Sequence, residues 1–256
     1  MRRRLLPLAV VSMLFVLRAG NADCQFSQKA KLNARGGAAG DNFGFSLALS
    51  ANGGTSLVGA YEKNAQRGSA YVFTRSGPEW KEQQELAAPE SPEPEAFGWS
   101  VALSGDGGTA LIGAMGKDKK RGAAYVFTRA GAAWTRGQEL KASDGTAGDN
   151  FAFSVALSAD GSTALIGAPA ANSFLGRAYI FKRIGSTWVQ KQELTNPDGS
   201  ANEEFASSVA LSADGGTVLV GAYEKNAQRG SAYVFTRSGS EWKEQQELAA
   251  PESPEP

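Results

Sequence analysis

The stretch Phe43-Gly44-Phe45-Ser46-Leu47-Ala48-Leu49-Ser50-Ala51-Asn52-Gly53-Gly54-Thr55-Ser56-Leu57-Val58-Gly59-Ala60 decides the fold. From Phe45 to Ser50 larger and smaller side chains alternate with period two, the pattern of a strand. Asn52-Gly53 supplies the positive-φ positions of a tight hairpin, and Thr55 to Ala60 returns as a second strand. Gly59, near the end of that strand, predicts close approach of another backbone. A variable segment runs from Tyr61 to Arg67. Gly68 opens a third strand from Ser69 to Arg75, rich in β-formers, and Ser76-Gly77-Pro78 turns the chain into a fourth from Trp80 to about Leu86. A loop holding Pro89, Pro92 and Pro94 leads onward.

The same text returns every 54 residues: Phe43, Phe97, Phe151 and Phe205; Gly59, Gly113, Gly167 and Gly221; Trp80, Trp134, Trp188 and Trp242. The hairpin recurs as Asp106-Gly107, Asp160-Gly161 and Asp214-Gly215. A fixed period of this size marks a repeat architecture, in which one unit cannot bury its apolar face without a neighbour. Four short antiparallel strands per unit, with no helical periodicity, predict an all-β chain built as a β-propeller of four-stranded blades. Parallel solenoids need crossovers rather than Asp-Gly hairpins. The recurring tryptophan reads as packing between blades.

These units resemble FG-GAP repeats, the blades of the propeller in integrin α chains and in many secreted microbial proteins. Phe43-Gly44 and Phe97-Gly98 carry the Phe-Gly element, while Phe151-Ala152 and Phe205-Ala206 depart from it by a methyl group. Gly167-Ala168-Pro169 is the only full Gly-Ala-Pro; the other units read Gly59-Ala60-Tyr61, Gly113-Ala114-Met115 and Gly221-Ala222-Tyr223. The resemblance covers residues 26–256.

The expected organisation is a signal peptide over 1–22, an orphan outer strand and linker over 23–40, and blades at 41–94, 95–148, 149–202 and 203–256. Arg2, Arg3 and Arg4 begin the chain, and the apolar run from Leu5 to Leu17 falls short of the roughly 20 residues of a spanning helix. Gly20 and Ala22 suit cleavage, so a secreted or extracellular location is expected. Phe26 to Leu32 stands where Trp80 to Leu86 stands one unit later and reads as the orphan strand. In integrin-like propellers such a strand completes the last blade, yet here the last blade has its own fourth strand from Trp242 to Leu248. Two readings follow: part of a larger ring, seven-bladed as the resemblance implies, or four blades that close directly or pair between chains. The surplus strand favours the first and also suggests self-association through an unpaired edge. Residues 223–256 copy 61–94 except for Ser240 in place of Pro78, the mark of a duplication.

Formal charge is balanced at 26 basic and 26 acidic residues. Removing Arg2, Arg3, Arg4 and Arg18 with the leader leaves 22 basic residues against 26 acidic, a formal net of −4, and no basic patch or stripe that would hold a phosphate backbone is expected. Nucleic acid is not an expected partner, and no second apolar run could span a membrane. The chain has no histidine and one cysteine, Cys24, which removes Ser-His-Asp and Cys-His catalysis, thiolate zinc sites and an internal disulfide. The carboxylate groups Glu90, Glu93, Glu95 and Glu203, Glu204 lie in Pro-rich or loop contexts rather than across a pocket. The integrin calcium loop is not carried over, because each hairpin turn has at most one Asp; the loops from Asp144 to Asp149 and Asp198 to Glu204 are richer in oxygen ligands. No cofactor, metal or catalytic residue is expected.

In an antiparallel meander the two tight turns of each blade share one face and the long loops share the other. Loops on a rigid scaffold carry recognition, and aromatic and Arg side chains dominate hot spots. The candidate binding residues are Tyr61, Arg67, Arg121, Phe174, Tyr223 and Arg229. The expected function is a secreted or cell-surface, non-catalytic module that binds a protein or glycan on the long-loop face, in the manner of adhesion. The alternatives are an extracellular hydrolase or lyase, or its accessory domain, and a truncated gene copy without a retained role.

Overall fold

The computed structural model describes residues 28–89, 93–197, 199 and 202–249. It divides into two compact units, Met1–Lys31 and Leu32–Pro256. In the first, residues 28–31 carry no helix or strand, and the expected leader and Cys24 lie outside the described residues.

The second unit holds four antiparallel sheets of four strands, each a meander in chain order. The first blade comprises β1 (Leu47–Leu49), β2 (Thr55–Ala60), β3 (Ser69–Ser76) and β4 (Glu79–Leu86). The second comprises β5 (Phe97–Leu103), β6 (Thr109–Ala114), β7 (Ala123–Ala130) and β8 (Ala133–Leu140). The third comprises β9 (Ser154–Leu157), β10 (Thr163–Ala168), β11 (Arg177–Ile184) and β12 (Thr187–Thr195). The fourth comprises β13 (Phe205–Leu211), β14 (Thr217–Ala222), β15 (Ser231–Ser238) and β16 (Glu241–Ala249). The strands fall where alternation and the Asp-Gly and Asn-Gly turns predict them.

The core lies between sheets, not within one. Leu57, Ala70, Val72 and Leu86 of the first blade pack against Phe97, Ile112, Tyr125, Phe127 and Trp134 of the second. The next two junctions repeat this with Phe151, Tyr179, Phe181 and Trp188, then with Phe205, Tyr233, Phe235 and Trp242. Phe151 and Phe205 sit edge-on to a Tyr and a Phe of their own blade, Phe151 at 5.5 Å and 6.2 Å, and Phe97 meets Phe127 edge-on and Tyr125 at a tilt. Burying one of these rings is worth roughly 1.5–3 kcal/mol. Trp134, Trp188 and Trp242 are therefore interblade packing, while Trp80 packs on the Val58, Tyr71 and Phe73 face of the first blade.

Polar bonds fix the register of each junction. Ser46, Ser100 and Ser154 donate their Oγ to the carbonyls of Gly98, Ala152 and Ala206 in the following blade, at 2.8, 2.7 and 2.9 Å. On the tight-turn side Ala51 N–H donates to Gly105 O, Gly105 N–H to Ala159 O, and Ala159 N–H to Ala213 O. Close approach of the Gly59 backbone is real: a Cβ there would stand 2.0 Å from Gly98 O.

Two features depart from expectation. The described part of the orphan segment, residues 28–32, is not a strand. A fourth strand pairs with the third strand of its own blade, as β4 does with β3, and no such partner precedes Leu32 among the described residues. Leu32 and Ala34 nevertheless pack with Phe43 on the Val58, Tyr71 and Phe73 face of the first blade. They mirror Leu86 and Ala88, one period later, on the second.

The segment between second and third strands is not an irregular loop either. In Lys63–Gln66 the residues Asn64 and Ala65 have φ of 54° and 58°, so the turn is left-handed, and Gln66 follows at 66°. The same backbone recurs at Asp118, Lys119 and Lys120, at Asn172, Ser173 and Phe174, and at Asn226, Ala227 and Gln228. Left-handed conformation costs an L-residue about 1–2 kcal/mol. The next blade stabilises it: Ala96 N–H donates to Gln66 O at 2.8 Å and Phe97 N–H to Arg67 O at 3.1 Å. Asn150 and Phe151 repeat this on Lys120 and Arg121.

Candidate functional site

The left-handed turns and the entries to β1, β5, β9 and β13 lie on the long-loop side, so that face presents varied side chains on a constant backbone. A cleft of about 760 Å³ lies between the first two blades and is lined by Tyr61, Glu62, Gln66, Trp99, Met115, Asp118, Lys119 and Lys120 among others. Tyr61 and Trp99 form its aromatic wall. Their ring centroids are 4.8 Å apart, and both meet Phe45, at 4.5 and 4.8 Å. Trp99 continues the row to Phe153 at 5.5 Å. Phe45 is 51% exposed. Asn42 Nδ2 donates to Tyr61 Oη at 3.2 Å and fixes the ring.

Phe45, Trp99 and Phe153 each stand two places after the phenylalanine of the Phe-Gly or Phe-Ala element, and Ser207 takes that place in the fourth blade. The repeat spacing held this signal, since three of the four units carry an aromatic there. A search confined to the variable segments misses it.

Beneath the turns lies a charged layer that is consumed by architecture. Lys117 Nζ pairs with Glu95 Oε1 at 2.8 Å, and Tyr125 Oη donates to Glu95 Oε2 at 3.1 Å. Burial works against the Lys117 ammonium, but its hydrogen bonds to Glu95 and Tyr125 outweigh that and hold its pKa above the ordinary lysine value. Lys63 and Lys225 differ in their carboxylate: each donates to the tyrosine, Tyr71 or Tyr233, and pairs with Glu85 or Glu247 of the fourth strand rather than with a residue ahead of the first. The third blade has Ala171 at the lysine position, and Arg177 replaces it from the adjoining strand, pairing with Asp144 and Glu193. In the oxygen-rich loop Thr146 Oγ1 donates to Asp149 at 2.9 Å. Asn196 donates to Glu203, and Asp198 lies outside the described residues. Among the described residues no three metal-ligating side chains converge.

The six residues singled out from sequence are spread along the array. Tyr61 lies in the cleft between the first two blades. Arg67 borders a separate cleft of about 140 Å³ with Asn64, Ala87 and Pro89. Arg121 is half-buried near Gly145 rather than exposed, and its Nε is without a hydrogen-bond partner. Phe174 and Tyr223 are exposed, at 48% and 52%. A hydrogen bond to Glu204, with burial second, pushes the Tyr223 hydroxyl up to about 12. Arg229 is exposed. Thus the fold brings only Tyr61 into the aromatic wall, and supplies Phe45, Trp99 and Phe153 beside it.

Comparison with solved structures gives the fold a wider setting. Kuenenia stuttgartiensis hydrazine synthase aligns at a TM-score of 0.56 with 14% identity, over 85% of this chain and 53% of that one. TolB from Acinetobacter baumannii aligns at 0.50 with 16% identity, over 82% of this chain and 44% of that one. The chain thus spans about half the length of these relatives or less, and at such identity the likeness is one of fold. No curated protein matches it in sequence. The FG-GAP repeat model matches four times, at residues 26–73, 80–127, 134–181 and 188–235. Each match after the first begins at the interblade tryptophan and ends in the third strand of the next blade, so the family unit straddles the junctions described above. On that match, and on its four propeller blades, the chain belongs to the FG-GAP repeat family.

Proposed function

We propose that this chain is a secreted or cell-surface, non-catalytic binding module that takes a protein or glycan ligand on its long-loop face, centred on the cleft between the first two blades. The observation that carries the reading is the Phe45, Tyr61 and Trp99 cluster, whose rings meet edge-on or tilted with centroids within 4.8 Å, with Phe45 half-exposed beside a cleft of about 760 Å³. Rigid aromatic side chains give large contact area at low entropic cost, and acids and lysines at the rim supply hydrogen bonds of both signs. The carboxylates and ammonium groups beneath the turns are held in ion pairs, which favours binding over acid–base chemistry. The extracellular setting rests on the leader-like residues 1–22.

The test is a glycan array and a surface-protein pull-down run with the unaltered chain and a Phe45→Ser, Tyr61→Ala double variant. Serine is the residue found at the equivalent place in the fourth blade, Ser207. The reading expects a ligand retained by the unaltered chain and lost from the variant, with both unfolding at similar denaturant. Equal retention by the two would remove the cleft as the binding site.

A further inference from the structure

The fourth strand of the first blade carries a β-bulge opposite Val72 and Phe73, and its extra residue is Gln83. Bulges re-aim side chains. Gln83 Oε1 accepts the indole N–H of Trp134, in the following blade, at 3.1 Å. The third blade has the same bulge opposite Ile180 and Phe181, and its extra residue is Lys191. An ammonium offers only donors, so it cannot serve an indole N–H. Trp242, the tryptophan that follows, is 3% exposed, and its Nε1 is buried without a hydrogen-bond partner.

The cleft beside that indole, about 290 Å³, gathers Lys182, Arg183, Lys191 and Arg237 around Trp242. No acidic residue is among the described residues that line it. Lys182 occupies the place of Thr74, Thr128 and Thr236 in the other blades, and Lys191 that of Gln83, Gly137 and Gln245, so two added cations single out this junction. Lys182 Nζ donates to Thr163 Oγ1 at 2.6 Å, which leaves its charge without a contacting carboxylate. Burial first, then the Arg237 charge, lower its pKa, against a weaker opposing pull from Asp160. Arg237 lies with its Cζ 5.7 Å from the Trp242 ring. These cations are dispersed along the chain and meet only when β11, β12 and β15 are folded.

A buried donor without an acceptor, walled by like charges, calls for an acceptor that is itself anionic. We propose that the cleft between the third and fourth blades binds a tetrahedral oxyanion, a sulfate or phosphate group, which accepts from the Trp242 indole and is held by Lys182, Lys191 and Arg237. The site is on the tight-turn side, at the β11–β12 and β15–β16 hairpins, and is independent of the long-loop cleft. The group can be a free ion or an ester on a larger molecule.

The experiment is a titration of the ¹⁵N-labelled chain at constant ionic strength, following the Trp242 indole resonance assigned with Trp242→Phe. The probes are sodium sulfate, sodium phosphate, galactose 6-sulfate with galactose as its control, and sodium chloride. The proposal expects a saturable shift with an oxyanion and none with chloride. Tighter binding of galactose 6-sulfate identifies an ester-borne group, and tighter binding of the inorganic ions a free one. Lys191→Gln rebuilds the Gln83–Trp134 arrangement, so it should weaken binding at least tenfold while the chain unfolds at the same or higher denaturant. Lys182→Thr, the residue of the other three blades, serves the same purpose should the first variant misfold. A shift that never saturates with any oxyanion, or unchanged affinity in the folded variants, overturns the proposal.

Discussion

Gln138 holds the backbone of Trp188, one blade on, with both ends of its side-chain amide: Oε1 accepts from Trp188 N–H at 2.8 Å and Nε2 donates to Trp188 O at 2.8 Å. Gln84 holds Trp134, and Gln192 holds Trp242, in the same way. The interblade tryptophan is thus gripped by its main chain as well as packed by its ring. Gln138→Ala leaves a donor and an acceptor unserved at a part-buried junction and should cost about 1–3 kcal/mol in denaturant unfolding. Gln246→Ala, at the equivalent but exposed place in the fourth blade, should change stability by no more than about 0.5 kcal/mol. Equal effects at the two sites would contradict the assigned role.

The left-handed turns carry local strain that glycine would relieve. Ala65, exposed at φ 58°, touches the core with no side-chain group. Ala65→Gly should stabilise the chain by about 0.5–1 kcal/mol, the relief of the left-handed penalty less the entropy that glycine loses on folding. A fall in unfolding midpoint on this substitution would refute the conformation.

Gly59 and Gly221 are equivalent in sequence but differ in surroundings. A Cβ on Gly59 would stand 2.0 Å from the Gly98 carbonyl and 2.2 Å from Ser46 Oγ, whereas on Gly221 its only neighbour closer than 3.4 Å is Ser208 Oγ at 2.3 Å. A hydroxyl can rotate away and a backbone carbonyl cannot. Gly59→Ala should therefore cost about 1–3 kcal/mol or more, and Gly221→Ala clearly less. Thermal unfolding of the two variants decides it.

Asp160 gives the tight turn an acid-sensitive element. Ser158 Oγ donates to it at 2.6 Å, Ser162 N–H at 2.9 Å and Ser162 Oγ at 2.7 Å. The Ser158 bond is the largest cause holding its carboxyl at about 2, and burial opposes it. The unfolded-state value is about 3.9. Because the folded value is the lower one, the stabilisation is complete above about pH 4 and is lost as pH falls from there towards 2. Asp160→Asn should flatten this part of the acid limb in unfolding curves taken from pH 6 to pH 2, as Asn52 already forms the equivalent turn in the first blade.

Much of this was legible in the chain. Asp106-Gly107 and its equivalents fix the hairpins locally, and Trp188 at constant spacing announces a shared core. Phe153 could have been found from the spacing of Phe45 and Trp99. What escaped reading depends on neighbours distant in sequence. Ala65 and Gln66 have no preference for positive φ, and only Ala96 and Phe97 of the next blade make the left-handed turn worthwhile. Arg121 reads as a surface cation until the fold half-buries it near Gly145. Lys191 is unremarkable until the bulge of β12 brings it beside Trp242.

Whether each blade is locked to the next through its tryptophan is tested most directly by native-state hydrogen exchange at the backbone amides of Trp134, Trp188 and Trp242. These donate to Gln84, Gln138 and Gln192 across the blade junctions. All three should exchange slowly, with opening free energies close to that of global unfolding, and Gln138→Ala should release Trp188 alone. Exchange of the three at the rates of unprotected amides would contradict the locking.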